Sequence, residues 1–257
     1  MAFCRYCGRK LEEGEACTCQ NQAEATSSSV KAEVVLGQGK QAAGAAWGEF
    51  VRLLKAPVSY GESYVRKGNW VTSLIFLVLQ GICSGLFAVF FVGKINGLIG
   101  LGGSMTGGLK FSGAGAFFLT LLYSLILSAV LAGLYLAGAK LLKGQVRFQE
   151  ALSIVSMRSV ILVPVTLVSC LVFLISISAG IVCYYCMGSL AAVVFLMVGS
   201  RGIAEVNSDR RIYLTVGVLI AFVVVFFLFA SWVLPSYVPS SVRELSSLGG
   251  IMNSFMP

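Results

Sequence analysis

From Val71 to the last twenty or so residues the chain repeats one pattern, a long uncharged apolar stretch followed by a short polar connection. Val71–Gly93 runs for 23 residues without a charge, Ala114–Ala139 for 26, Ser159–Val198 for 40 and Leu214–Leu234 for 21. About 20 apolar residues let a helix cross the ~30 Å hydrocarbon core of a bilayer, so the longest run must hold two crossings. The pattern predicts five transmembrane helices, over 71–93, 114–139, 159–177, 181–199 and 214–234, with Ser178-Ala179-Gly180 as the bend between the third and fourth. Unbroken apolarity excludes a barrel, whose strands alternate between lipid and lumen. The expected fold class is an all-α membrane protein, with the five-helix domain at 70–236 and an extracytoplasmic tail at 237–257.

Upstream the pattern changes character. Trp47, Phe50, Val51 and Leu54 share one helical face, and Arg52 and Lys55 lie toward the other. That arrangement suits a helix lying in the membrane interface, or one packed on the cytosolic face of the bundle. Pro57 is expected to end it. Tyr60, Tyr64 and Trp70 would then follow as aromatic anchors at headgroup level, in an interfacial segment covering 47–69. Residues 21–46 are rich in Gln, Ala, Ser and Gly, with Val30, Val34, Val35 and Leu36 as their few larger apolar side chains. Such a stretch buries too little to offset its ordering entropy and reads as a flexible linker.

Composition sharpens the division. Hydrophobic residues make up 57% of the chain and charged residues 12%, against about 25% charged in an ordinary soluble domain. The net charge of +8 is spread over short connections rather than gathered in one patch, so it speaks for topology and anionic lipid and against nucleic acid. Arg52, Lys55, Arg66 and Lys67 precede the first run; Lys140, Lys143, Arg147 and Arg158 follow the second; Arg201, Arg210 and Arg211 precede the last. The alternate connections and the tail hold Lys94, Lys110 and Arg243. The basic side is the cytosolic one, which places the N-terminus inside and the C-terminus outside the cell membrane. The first forty residues contain no apolar core of an export signal, in keeping with that orientation.

The first twenty residues carry four of the eight cysteines, Cys4, Cys7, Cys17 and Cys19. A Cys-x2-Cys turn lets two thiolates reach one tetrahedral Zn²⁺, and Gly8 after it permits the backbone a knuckle needs. Cys17 and Cys19 would complete the site, with one intervening residue rather than two. A head of 1–20 has no room for a core, so metal binding would supply its folding energy, on the order of 10–16 kcal/mol in such peptides. Four thiolates leave no open coordination position, so the expected site is structural. A reducing cytosol favours metal over disulfides.

The run Phe3-Cys4-Arg5-Tyr6-Cys7-Gly8-Arg9-Lys10-Leu11-Glu12-Glu13-Gly14 looks like the opening of a zinc ribbon. Phe50-Val51-Arg52-Leu53-Leu54-Lys55-Ala56-Pro57, before the first span, and Gly144 to Leu152 leading to Ile161-Leu162-Val163-Pro164 complete the likeness. With five spans, the chain resembles the Yip1 family of membrane proteins in the bacterial form that carries an N-terminal zinc ribbon. The resemblance implies a five-helix fold and supplies no catalytic residues. Eukaryotic relatives act in vesicle traffic with small GTPases, a role that does not carry over to a bacterial-type chain.

The predicted spans contain no Asp, Glu, Lys or Arg, and the chain contains no His. Proton-coupled transport and intramembrane proteolysis need buried ionisable groups, so an enzyme is not expected. Small-xxx-small steps at Gly81/Gly85 and Ala129/Gly133 would let helices pack closely, within one bundle or between copies in a homo-oligomer. Cys183-Tyr-Tyr-Cys186 has redox spacing, but thiols in apolar surroundings are poor nucleophiles. The glycine-rich stretch Gly97–Gly115 lacks the strand–loop–helix setting and the Lys-Ser/Thr ending of a phosphate cradle, and reads as a flexible or re-entrant loop. The leading expectation is a non-enzymatic membrane scaffold or adaptor whose cytosolic zinc head recruits a protein partner. A passive transporter, channel or lipid scramblase is the rival, prompted by the glycine-rich loop and by Gln80, Ser84, Ser124 and Ser128.

Overall fold

A computed structural model describes residues 2–3, 10–11, 41–101, 110–144, 146–203 and 207–237. The chain divides into two compact units, Met1–Trp47 and Gly48–Pro257. In the first, strands β1 (Ala2–Phe3) and β2 (Lys10–Leu11) pair antiparallel, with Ala2 opposite Leu11 and Phe3 opposite Lys10. The helices are α1 (41–55), α2 (Pro57–Lys67), α3 (Trp70–Leu101), α4 (Gly113–Leu141), α5 (Phe148–Ile175), α6 (Ile177–Val182), α7 (Gly188–Ser200) and α8 (Ser208–Tyr237). A π-helical turn, Cys183–Met187, joins α6 to α7 in one continuous helical stretch.

Five helical stretches are long and apolar enough to cross a membrane: Trp70–Gly100, Gly113–Leu141, Phe148–Ile175, Ile177–Ser200 and Asp209–Ser231. Their outer faces carry large bare side chains, with Ile175 89% and Phe227 67% exposed. Exposed apolar surface on this scale is what lipid covers. The chain is a multi-pass membrane protein. Helix α3 packs on α4 and α5, α5 also on α7, and α4 on α8.

The helix limits correct several expectations. The third span begins at Phe148 rather than Ser159, because the Glu150 carboxylate accepts from the Arg147 amide and guanidinium at the helix start and residues 151–157 are all buried. Arg158 is therefore inside a membrane helix and not in a loop; the expectation of spans without charge fails here, and the long apolar helices also carry Lys94, Lys140, Glu150, Asp209, Arg210 and Arg211 toward their ends. The break between the third and fourth spans is at Ser176, whose side chain accepts from the Ala179 amide and caps α6. Gly180 follows within α6, where a Cβ would lie 2.5 Å from Phe173 Cα. It marks the closest approach of the hairpin. Gly97 and Gly100 belong to α3, and Gly113 and Gly115 to α4. Asn96 holds the two ends together through paired bonds with the Phe111 backbone, each 2.8 Å.

The interfacial segment also differs. Helix α1 extends back to residue 41, into the stretch expected to be linker. Pro57 does separate α1 from α2, but as the first residue of α2, where its missing N–H costs nothing. Tyr64 is not a headgroup anchor. It is fully buried, its hydroxyl bonded to Ser73 (3.0 Å) and Ser156 (2.9 Å), and Ser73 reaches Ser153 (3.1 Å). This chain of hydroxyls fastens α2 to α3 and α5. Burial pushes the Tyr64 phenol up to about 12, against the opposing pull of Ser156 and Ser73. Close approaches complete the mount, since a Cβ on Gly61 would meet the Met157 methyl at 2.5 Å and one on Gly202 the Val65 side chain at 2.5 Å. Of the face proposed for 47–55, Phe50 is buried and packs edge-on against Phe76, while Trp47 is exposed.

Candidate functional site

Cys4, Cys7, Cys17 and Cys19 lie outside the described residues. Among the described residues no group of His, Cys, Asp and Glu is placed to hold a metal. The paired strands β1 and β2 flank Cys4 and Cys7 in sequence, with one strand ending at Phe3 and the other starting at Lys10.

In the second unit, side chains from all five spans line a partly open cavity of about 340 Å³. Its polar wall is a connected set of hydrogen bonds. Gln80 Nε2 donates to Ser84 Oγ (3.0 Å), Ser124 Oγ donates to Gln80 Oε1 (3.1 Å), and Tyr184 Oη donates to Ser84 Oγ (3.2 Å). Ser128, buried and not part of the lining, donates through Oγ to the Ser124 carbonyl (2.8 Å) and accepts from Arg158 Nη2 (3.1 Å). Much of the remaining lining is apolar, including Leu162, Leu196, Leu219, Phe222 and Phe226. The sequence had singled out Gln80, Ser84, Ser124 and Ser128, and the structure joins all four. It missed Arg158 and Tyr184.

Arg158 sits ten residues into α5, about 15 Å along the axis at 1.5 Å per residue. Its guanidinium has five donors and is always charged. Ser128 takes one, the Phe222 ring lies 5.9 Å from the guanidinium carbon, and the enclosed Nε has no hydrogen-bond partner among the described residues. The ion pairs among the described residues are Arg66–Glu62 and Arg147–Glu150, so the acidic side chain of α5 is already engaged elsewhere. Neither a hydroxyl nor a ring face balances a full charge. An arginine near the centre of a membrane helix costs about 2.5–3.5 kcal/mol on insertion scales, and such residues face cavities and mark function.

The π turn explains how Tyr184 reaches this wall. Wider winding at Cys183–Met187 shifts the side chains out of α-helical register. Tyr184 stacks on Phe87 (centroids 4.2 Å apart, planes at 6°), while the next residue, Tyr185, stands 61% exposed. Cys183 and Cys186 are free thiols in the same turn, and Cys183 Sγ lies 3.8 Å from Met187 Sδ. The two small-residue steps part company. Gly81 and Gly85 face α4, where a Cβ on Gly85 would meet the Phe117 ring at 2.8 Å, whereas one on Gly133 would meet no described atom of another element within 4 Å.

Comparison with known proteins finds no matching family model, no matching curated protein and no matching solved structure.

Proposed function

We propose that the chain is a non-enzymatic membrane adaptor of the Yip1 type. Its five helices hold it in the cytoplasmic membrane. Its N-terminal head, closed on a structural Zn²⁺ by Cys4, Cys7, Cys17 and Cys19, recruits a protein partner on the cytosolic side. The observation that carries this reading is the division of the chain: the four clustered cysteines fall in one unit and all five spans in the other. The antiparallel pairing of β1 with β2 is what a hairpin carrying Cys4 and Cys7 would need, and so supports the knuckle. With Arg158 counted inside a span, the basic residues still gather on the side proposed as cytosolic. The cavity lining contains no carboxylate and the chain no His, so it offers no ordinary general base.

The test uses the full chain in its native membrane. Cross-linking of wild type and of a Cys4→Ser/Cys7→Ser variant should recover a head-dependent partner from the first only. Identical partners from both would overturn the adaptor reading. The cavity supports a second reading, passive passage of a solute or lipid through the bundle. Reconstituted liposomes decide it, and flux no greater than from empty vesicles removes it.

A further inference from the structure

We infer that the Arg158 cavity binds the oxyanion of an anionic lipid, which enters sideways from the bilayer between the π turn and α8. Four observations carry this independently of the head. The first is charge: Arg158 stands within the third membrane helix with no ion pair among the described residues and an enclosed Nε that none of them partners. A buried cation is retained where something completes it, and a phosphate or carboxylate fits the guanidinium fork with two parallel hydrogen bonds.

The second is the company it keeps. Thr166 also lines the cavity and brings a further hydroxyl to the same space. The third is the apolar wall of Leu162, Leu219, Phe222 and Phe226, which no small hydrated anion would use. A cavity that joins one cation, several hydroxyls and a greasy wall matches an anion carried on an acyl chain.

The fourth is the way in. Tyr185 and Val223 line the cavity and are 61% and 50% exposed, so it opens on the outer face of the bundle. Tyr185 belongs to the π turn and Val223 to α8, so the opening lies between these two elements. An occupant arriving through this gap comes from lipid, not from water. Glu150 cannot serve instead, because it is held by Arg147 at the start of the helix.

The experiment is retention of lipid by the full chain, purified in a neutral detergent with phosphatidylglycerol, phosphatidylcholine and oleate supplied together, and read by native mass spectrometry. Anionic lipid should be kept over phosphatidylcholine by about tenfold or more, the scale of one charge-assisted contact. Preference for phosphatidylglycerol assigns a phosphate and preference for oleate a carboxylate. Arg158→Met should abolish the preference. Ala192→Phe fills the lining while leaving the guanidinium in place, and should also lose the lipid; it carries the test if Arg158→Met does not fold. Equal retention of charged and zwitterionic lipid would overturn the proposal. So would unchanged retention in a folded Ala192→Phe variant, or displacement of the lipid by inorganic phosphate alone.

Discussion

Gly180→Ala and Gly133→Ala are the same chemical change in two membrane helices, and the structure gives them opposite signs. At Gly180 a Cβ would lie 2.5 Å from Phe173 Cα, 2.5 Å from its Cβ and 2.8 Å from its amide nitrogen. These are mostly backbone atoms, so no side chain can swing away. Phe173 is itself fully buried against Phe87 and Cys170, so the hairpin must open at its tightest point. Overpacking of this kind costs about 3 kcal/mol at the upper end of its usual range. The better helix propensity of alanine returns about 1 kcal/mol, for a net loss of about 2 kcal/mol. At Gly133 an added Cβ would meet no described atom of another element within 4 Å, so the propensity gain stands alone and the variant should be as stable as wild type or up to about 1 kcal/mol better. Equilibrium unfolding of the full chain in mixed micelles, followed by circular dichroism, measures both. Equal stability of Gly180→Ala and wild type would refute the close apposition of α5 and α6, and equal losses in both variants would refute the packing argument itself.

Tyr64→Phe removes one hydroxyl that joins Ser73 to Ser156, and should cost about 1–2 kcal/mol in the same assay. Because the folded phenol is raised to about 12, its contribution is fully present below its ordinary value of about 10 and is lost as pH rises toward 12. The stability gap between wild type and Tyr64→Phe should therefore narrow over that window, and a gap that widens would contradict the sign. Lys143 holds a left-handed conformation (φ 57°) just past the end of α4, a position that favours glycine. Lys143→Gly should stabilise the chain by about 1 kcal/mol, read as a higher unfolding midpoint.

The five crossings were legible because lipid imposes a long uncharged run on every helix, and no local detail can disguise one. The ends were not. Arg158 stops any count of uncharged residues, yet α5 continues through it to the cap at Arg147 and Glu150, a signal present in the sequence as a charged pair three residues apart. Buried serines at 153, 156 and 159 on the same helix were a further sign that burial continued upstream. Tyr64 misled for another reason. An aromatic residue near a span is usually an interfacial anchor, and its burial depends on Ser156, 92 positions away, which no local pattern contains. The polar set was half visible: Gln80, Ser84, Ser124 and Ser128 stood out as polar residues in apolar runs. Tyr184 did not, because it is aimed at Ser84 by a π turn that periodicity does not announce.

Zinc content measures the proposed head most directly. Elemental analysis of the full chain purified in detergent should find about one zinc per chain, the stoichiometry of a closed four-thiolate site. The Cys4→Ser/Cys7→Ser variant should lose it while its five-helix body keeps the wild-type unfolding midpoint. Wild-type protein free of zinc, or a variant that holds as much zinc as wild type, would contradict the account.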